Sequence, residues 1–273
     1  MTEMRVLIAC ETSGIARRAF ADRGHDVWSC DVLPAEDGSN RHIRCDVRDI
    51  LGDGWDLLMV AHPPCTRLCR SGQRWLYGPG MTHPKQLPKG RTWESMIAEF
   101  DDAVDLFTAC WQAPVDRIAL ENPVMHIHAK ARMPDDLPTP QIVQPHHFGE
   151  AAFKATGWYL RGLPPLQATD PLKVPAQGSA EYKAWSRVHR MPPGPDRARL
   201  RSRSCVPMME AAAEQWGSWA TNEVAAKRLP IPAVRCRRCK PVLALVDAAT
   251  QRMVHEVLLC PQVSTQALSQ GQG

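Results

Sequence analysis

Three short runs in this chain hold no polar residue: Val6-Leu7-Ile8-Ala9, Leu57-Leu58-Met59-Val60 and Ile118-Ala119-Leu120. A strand with one wet face alternates apolar and polar residues. A strand that is apolar on both parities must be covered from above and below, as in the middle of a largely parallel sheet with helices on both faces. The segments between fit that plan. Strands are expected at residues 5–10, 26–32, 42–47, 56–60 and 117–120, and helices at 13–23 and 92–111. The helix at 13–23 turns Ile15, Ala19 and Phe20 inward and ends at Gly24. The helix at 92–111 carries Trp93, Met96, Ile97, Phe100, Val104, Phe107 and Trp111 at helical spacing, a stripe that reads as core. Residues 72–90, rich in Gly, Pro and Lys, read as a loop. After residue 140 the pattern loosens to strands at 141–144 and 158–160 and a late helix at 207–220, with Ser204 as its N-cap. The expected class is α/β with a doubly wound, largely parallel sheet.

With 273 residues, of which 44% are hydrophobic, the chain suits one sizeable domain with a small appendage. It has no apolar run of about eighteen residues, and none is expected to span a membrane. Residues 1–10 lack the basic start and cleavage site of a signal peptide, so a cytoplasmic protein is expected. The ten cysteines include Cys10, Cys30, Cys45 and Cys110 in apolar runs, where a thiol behaves as a small hydrophobe rather than a disulfide partner.

Two of the apolar runs end in reactive groups. One continues into His62-Pro63-Pro64-Cys65-Thr66 and the other into Glu121-Asn122-Pro123. Side chains just past the carboxyl ends of neighbouring strands in such a sheet converge on one crevice. A thiol and a carboxyl delivered there can attack a pyrimidine ring and protonate it. The two prolines stiffen the turn before the sulfur and remove two backbone donors.

The Pro-Pro-Cys and Glu-Asn pair, in this order, resembles the cytosine-carbon-5 DNA methyltransferases, and more closely a compact, phage-like branch of them. The resemblance spans roughly residues 4–219. It implies a Rossmann-like S-adenosylmethionine-dependent fold over residues 1–221, with a small irregular target-recognition segment at 163–203. It makes Cys65 the nucleophile, Glu121 the acid, and Asn122 a loop-holding amide. Pro123 stands where the broader family has Val, and Thr66 where it has Gln. Lys154 and Thr156 stand where the family has two arginines, and lysine keeps the charge but loses the planar fork.

By the same resemblance the cofactor is S-adenosylmethionine. The turn Cys10-Glu11-Thr12-Ser13-Gly14 follows the first strand, and Asp31 ends the second, where a carboxylate accepts bonds from a ribose diol. Asp46, ending the third strand, is the acid near the adenine amine, and Pro63 borders the same site. DNA is the expected partner. Arg187, Arg190, Arg197, Arg199, Arg201 and Arg203 crowd one stretch opposed only by Asp196, and such a cluster can grip phosphates. The competing reading for it is a solvated face.

Residues 222–273 form a separate extension with a loose tail at 264–273. Cys236, Cys239, His255 and Cys260 would make a four-ligand zinc set. A lone Cys-x-x-Cys is only a half-site, and incidental thiols are the favoured reading. Two other functions stay open: methylation of the cytosine exocyclic amine, and DNA binding without transfer. An RNA or nucleotide substrate stays open as well.

Overall fold

The computed structural model describes residues 3–78, 87–192, 194 and 197–227, and for 198, 199 and 223–227 it describes backbone alone. Glu3–Ala220 forms one compact unit, and a second begins at Thr221. The first unit is an α/β fold around a seven-stranded sheet: β1 (Arg5–Ala9), β2 (Asp26–Asp31), β3 (His42–Arg44), β4 (Leu57–Val60), β5 (Ile118–Glu121), β6 (Gln141–Val143) and β7 (Thr156–Arg161). Their spatial order is β3-β2-β1-β4-β5-β7-β6, with β3 to β5 mutually parallel and β7 antiparallel to both its neighbours.

The apolar runs are the central strands. Every residue of β4 and β5 is buried, and so are the last four of β1. Strand alternation then sorts them between two cores. Val6, Ile8, Leu57, Met59 and Ala119 face one side, where α1 (Ile15–Ala21) and α7 (Val206–Lys227) bring Phe20, Met208 and Trp216. Leu7, Ala9, Leu58, Val60, Ile118 and Leu120 face the other, against Phe100, Val104, Phe107 and Trp111 of α2 (Trp93–Trp111). Each Val, Leu, Ile, Met or Phe among them, fully buried, contributes about 1.5–3 kcal/mol.

Four expectations need correction. Trp93 and Ile97 at the start of α2 lie only half-buried, outside the core stripe, because they line a cleft with Leu76 and Tyr77 rather than packing on the sheet. The third strand stops at Arg44, since Asp46 caps a short 3-10 turn by accepting the Arg48 N–H at 2.9 Å. Ser204 does not cap the late helix. Its hydroxyl bonds His62, and the Cys205 sulfur meets the Met208 N–H at the start of α7 instead. The stretch at 163–203 is also less irregular than expected, holding α4 (Ala180–Trp185), α5 (Arg187–Arg190) and α6 (Arg197–Ser202). A further short helix, α3 (Ile127–Lys130), follows β5. Among the described residues no helix is long and apolar enough to cross a membrane.

Candidate active site

Because β1, β4 and β5 are parallel neighbours, Cys10, His62 and Asn122 emerge at the same edge of the sheet. The segment after β4 and the segment after β5 are then laced together by backbone. Cys69 bridges Met125, Arg70 N–H donates to the Val124 carbonyl at 3.3 Å, and His126 N–H donates to the Leu68 carbonyl at 3.0 Å. The His126 ring completes the seam. Its Nδ1 accepts the Ala129 N–H at 3.0 Å, so the ring proton sits on Nε2, which donates to the Arg67 carbonyl at 2.8 Å. The thiol-bearing and carboxyl-bearing loops are thus one unit.

The reversed strand adds the third group. Since β7 runs against β5, its beginning lies at the carboxyl ends of β4 and β5, and Lys154 stands two residues before it. Lys154 Nζ donates to the carbonyls of Ser202 (3.2 Å) and Arg203 (2.7 Å). Gly157 faces the turn at Asn122 so closely that a Cβ would lie 2.5 Å from the Asn122 carbonyl oxygen, and only glycine allows this approach. Asn122 N–H donates to the Gly157 carbonyl, and Asn122 Nδ2 donates to the Pro123 carbonyl. Among the described residues, Asn122 Oδ1 is buried without a partner, as is the indole N–H of Trp158, which lies opposite Glu121 in the sheet.

Glu121, His62, Lys154, Trp158, Ser204 and Cys205 line one narrow cleft. Burial lifts the Glu121 carboxyl to about 7, with the Lys154 charge pulling the other way. Burial also lifts the Cys65 thiol to about 12, reinforced by Glu121 and by Cys69, while Lys154 opposes the rise. Lys154 is lowered by the same burial and held up by Glu121 and Cys65. His62 is pushed down to about 3 by burial and by Lys154, so it is a neutral ring, with Nε2 2.8 Å from Ser204 Oγ. A carboxyl that keeps its proton near neutrality can act as an acid. Burial is the main barrier to ionising the thiol, and a protonated Glu121 removes the electrostatic part of it.

No family model matches this sequence, and no curated protein matches it.

The residues expected to hold a cofactor divide into two groups. Asp31 closes β2 with one carboxylate oxygen accepting the Leu33 N–H at 2.9 Å, and Val32 and Leu33 beside it are 61% and 60% exposed. Cys10 adopts a left-handed φ of 55° at the end of β1, and Gly14 has a φ of 67° before α1. Glu11 faces inward instead. It is fully buried, and its carboxylate takes the N–H groups of Ala16 and Arg17 and the Ser13 hydroxyl, closing the start of α1. Asp46 receives the Arg48 guanidinium and is held low by it. Pro63 is buried and Pro64 exposed.

The arginines divide too. Arg187 binds Glu150 and the Ala151 carbonyl, Arg197 binds the Met191 carbonyl, and Arg203 binds Glu36 at 3.1 Å. Arg190 is exposed and Arg201 half-buried, and neither has a carboxylate partner among the described residues. The Arg199 side chain and the set Cys236, Cys239, His255 and Cys260 lie outside the described residues. Among those described, no three His, Cys, Asp or Glu residues are grouped to hold a metal ion.

His126, His62 and Ser204 carry much of this arrangement and were missed in the sequence. His126 follows the Glu-Asn-Pro turn by three residues and His62 immediately precedes the two prolines, and those positions were the available signal. Ser204 gave none, since its contact spans 142 residues.

Proposed function

We propose that this chain methylates carbon 5 of cytosine in DNA through a covalent Cys65 adduct. The observation that carries this reading is the seam between the two loops. It sets a thiol and a buried carboxyl near its titration point at one sheet edge, with Lys154 acting on both. Cytosine is too electron-rich at carbon 5 to react directly. Addition of sulfur at carbon 6 makes carbon 5 nucleophilic, and a proton delivered to ring nitrogen 3 absorbs the charge. Glu121 is the proton source: while it holds its proton it adds no negative charge beside the thiolate, and it becomes charged only as sulfur bonds carbon 6 and nitrogen 3 takes the proton. The target base must leave the duplex to meet a thiol and a carboxyl set at a sheet edge. The sheet, seven-stranded and mostly parallel, is compatible with a Rossmann-like fold.

S-adenosylmethionine fits at the ends of β1 and β2, where its methyl is electrophilic when bound. The free oxygen of Asp31 suits a ribose hydroxyl, and exposed Val32 and Leu33 give an apolar surface for a flat ring. Glu11 and Asp46 do not fit as direct ligands, because helix α1 and Arg48 engage them.

Oligonucleotides containing 5-fluorocytosine test the proposal, since fluorine at carbon 5 cannot leave as a proton does. A denaturation-resistant complex that requires Cys65 supports it, and trapping that survives Cys65→Ser rejects it. A second reading, DNA binding without transfer, draws on the high Cys65 pKa and predicts no adduct at all.

A further inference from the structure

A second cleft, of about 290 Å³, lies beyond the seam and is lined by Leu76, Tyr77, Trp93, Ile97, Phe100, Asp101, His128 and Arg132. It lies at the lower end of the size range of ligand pockets. Its rings form a connected series. Tyr77 meets His128 edge-on at 6.5 Å, His128 meets His126 at 5.9 Å, and His126 meets Phe100 at 5.6 Å. His126 is the residue that ties the Cys65 loop to the Glu121 loop, so the cleft wall and the seam share one side chain. Arg132 stacks on Phe100 and pairs with Asp101, placing donors and an acceptor at the cleft.

Two further arginines lie close in the chain to the residues that line the cleft. Arg74 lies in the same short turn (Gln73–Leu76) that supplies Leu76, and Arg70 lies three residues before that turn. Both are exposed, and neither has a carboxylate partner among the described residues; Arg74 stacks on Trp75 at 4.4 Å. Stacking rings bordered by free arginines are the arrangement that holds unpaired nucleic acid, with bases on the rings and phosphates on the cations.

We propose that this cleft receives an unpaired nucleobase neighbouring the target in the same strand, stacked on Tyr77 and His128, with Arg70 and Arg74 holding the adjoining phosphates. The inference rests on the nucleic-acid reading above and adds a second base site to it. Binding of that base would press on the ring series that ends at the seam, so strand engagement and closure of the two loops would be linked.

The test uses the full chain and a single-stranded oligonucleotide with 2-aminopurine next to the target cytosine. Wild-type protein should quench the 2-aminopurine. Tyr77→Ala and His128→Ala should each relieve the quenching and weaken binding by about five- to hundredfold, the span of one base-stacking contact. Thermal melting of each variant reports whether it is folded, and exposed His128 keeps the test open if Tyr77→Ala unfolds. Unchanged affinity and quenching in folded variants, with wild-type trapping of 5-fluorocytosine intact, reject the second base site and leave the active site standing. A wild-type protein that binds no oligonucleotide rejects both.

Discussion

The His126 ring donates from Nε2 to the Arg67 carbonyl at 2.8 Å, the side-chain bond that joins two backbone bonds in tying the segment after Glu121 to the loop that carries Cys65. The ring is 2% exposed and also accepts the Ala129 N–H that opens α3. No smaller side chain reaches both partners.

His126→Ala should therefore lose two hydrogen bonds and ring packing, about 2–4 kcal/mol of stability. It should slow 5-fluorocytosine trapping more than tenfold while leaving cofactor affinity unchanged. Urea unfolding and a trapping time course check both. Burial holds this ring below the usual histidine range, so the native state favours its neutral form. Its contribution is complete above about pH 6.5 and falls as pH drops below that value. Trapping at native-like rates in His126→Ala would show that the seam holds without it.

Glu121 carries the opposite sign. A carboxyl raised from 4.5 to about 7 binds its proton more tightly in the folded state. Its contribution is complete below about pH 4.5 and is lost as pH rises through about 7. Glu121→Gln should thus be more stable than wild type at pH 8, by an amount on the order of 3 kcal/mol, and should lose turnover by a hundredfold or more. Chemical denaturation of both proteins at pH 4.5 and pH 8 measures the difference; equal pH dependence would refute the buried-acid assignment.

Cys65 should be a poor nucleophile until substrate arrives. With its pKa at about 12, roughly one thiol in ten thousand is ionised at pH 8. Alkylation of Cys65 by iodoacetamide in the native protein should be slow and still accelerating at pH 10. Lys154→Met removes the charge that favours both the thiolate and the Glu121 carboxylate, and should slow alkylation further. Peptide mapping of the alkylated protein gives the rate at Cys65 alone.

Asp31 and Asp46 should respond differently to removal. Asp31→Ala should weaken S-adenosylmethionine binding at least tenfold, the value of one charge-assisted hydrogen bond. Asp46→Ala should cost about 1 kcal/mol of stability through its lost cap and change affinity little, because Arg48 already holds that carboxylate. Calorimetric titration compares the two, and equal losses of affinity would overturn the distinction.

Within the arginine stretch, replacing Arg190 and Arg201 by Gln should flatten the plot of log DNA affinity against log salt by about two units. Arg187→Gln should lower stability instead, since its guanidinium binds Glu150 and the Ala151 carbonyl. Salt titrations by fluorescence anisotropy separate the two effects.

The sequence by itself determined the class of fold and pointed to the two groups proposed to react. Runs apolar on both parities can be satisfied only between two helical layers, and Leu57–Val60 and Ile118–Glu121 took the centre of the sheet for that reason. Cys65 and Glu121 were legible because local order places strand-end residues on one edge. What adjoins that edge was decided by tertiary structure. The reversal of β7 brings Lys154 there, and no periodicity in 156–161 encodes a strand's direction. Trp93 and Ile97 keep perfect helical spacing yet line a cleft, because the spacing fixes the face of a helix and not what covers it. Glu11, Asp46 and half of the arginines looked available in sequence. Their partners, a helix start, Arg48, Glu150, Glu36 and two carbonyls, come into reach only when the chain is folded.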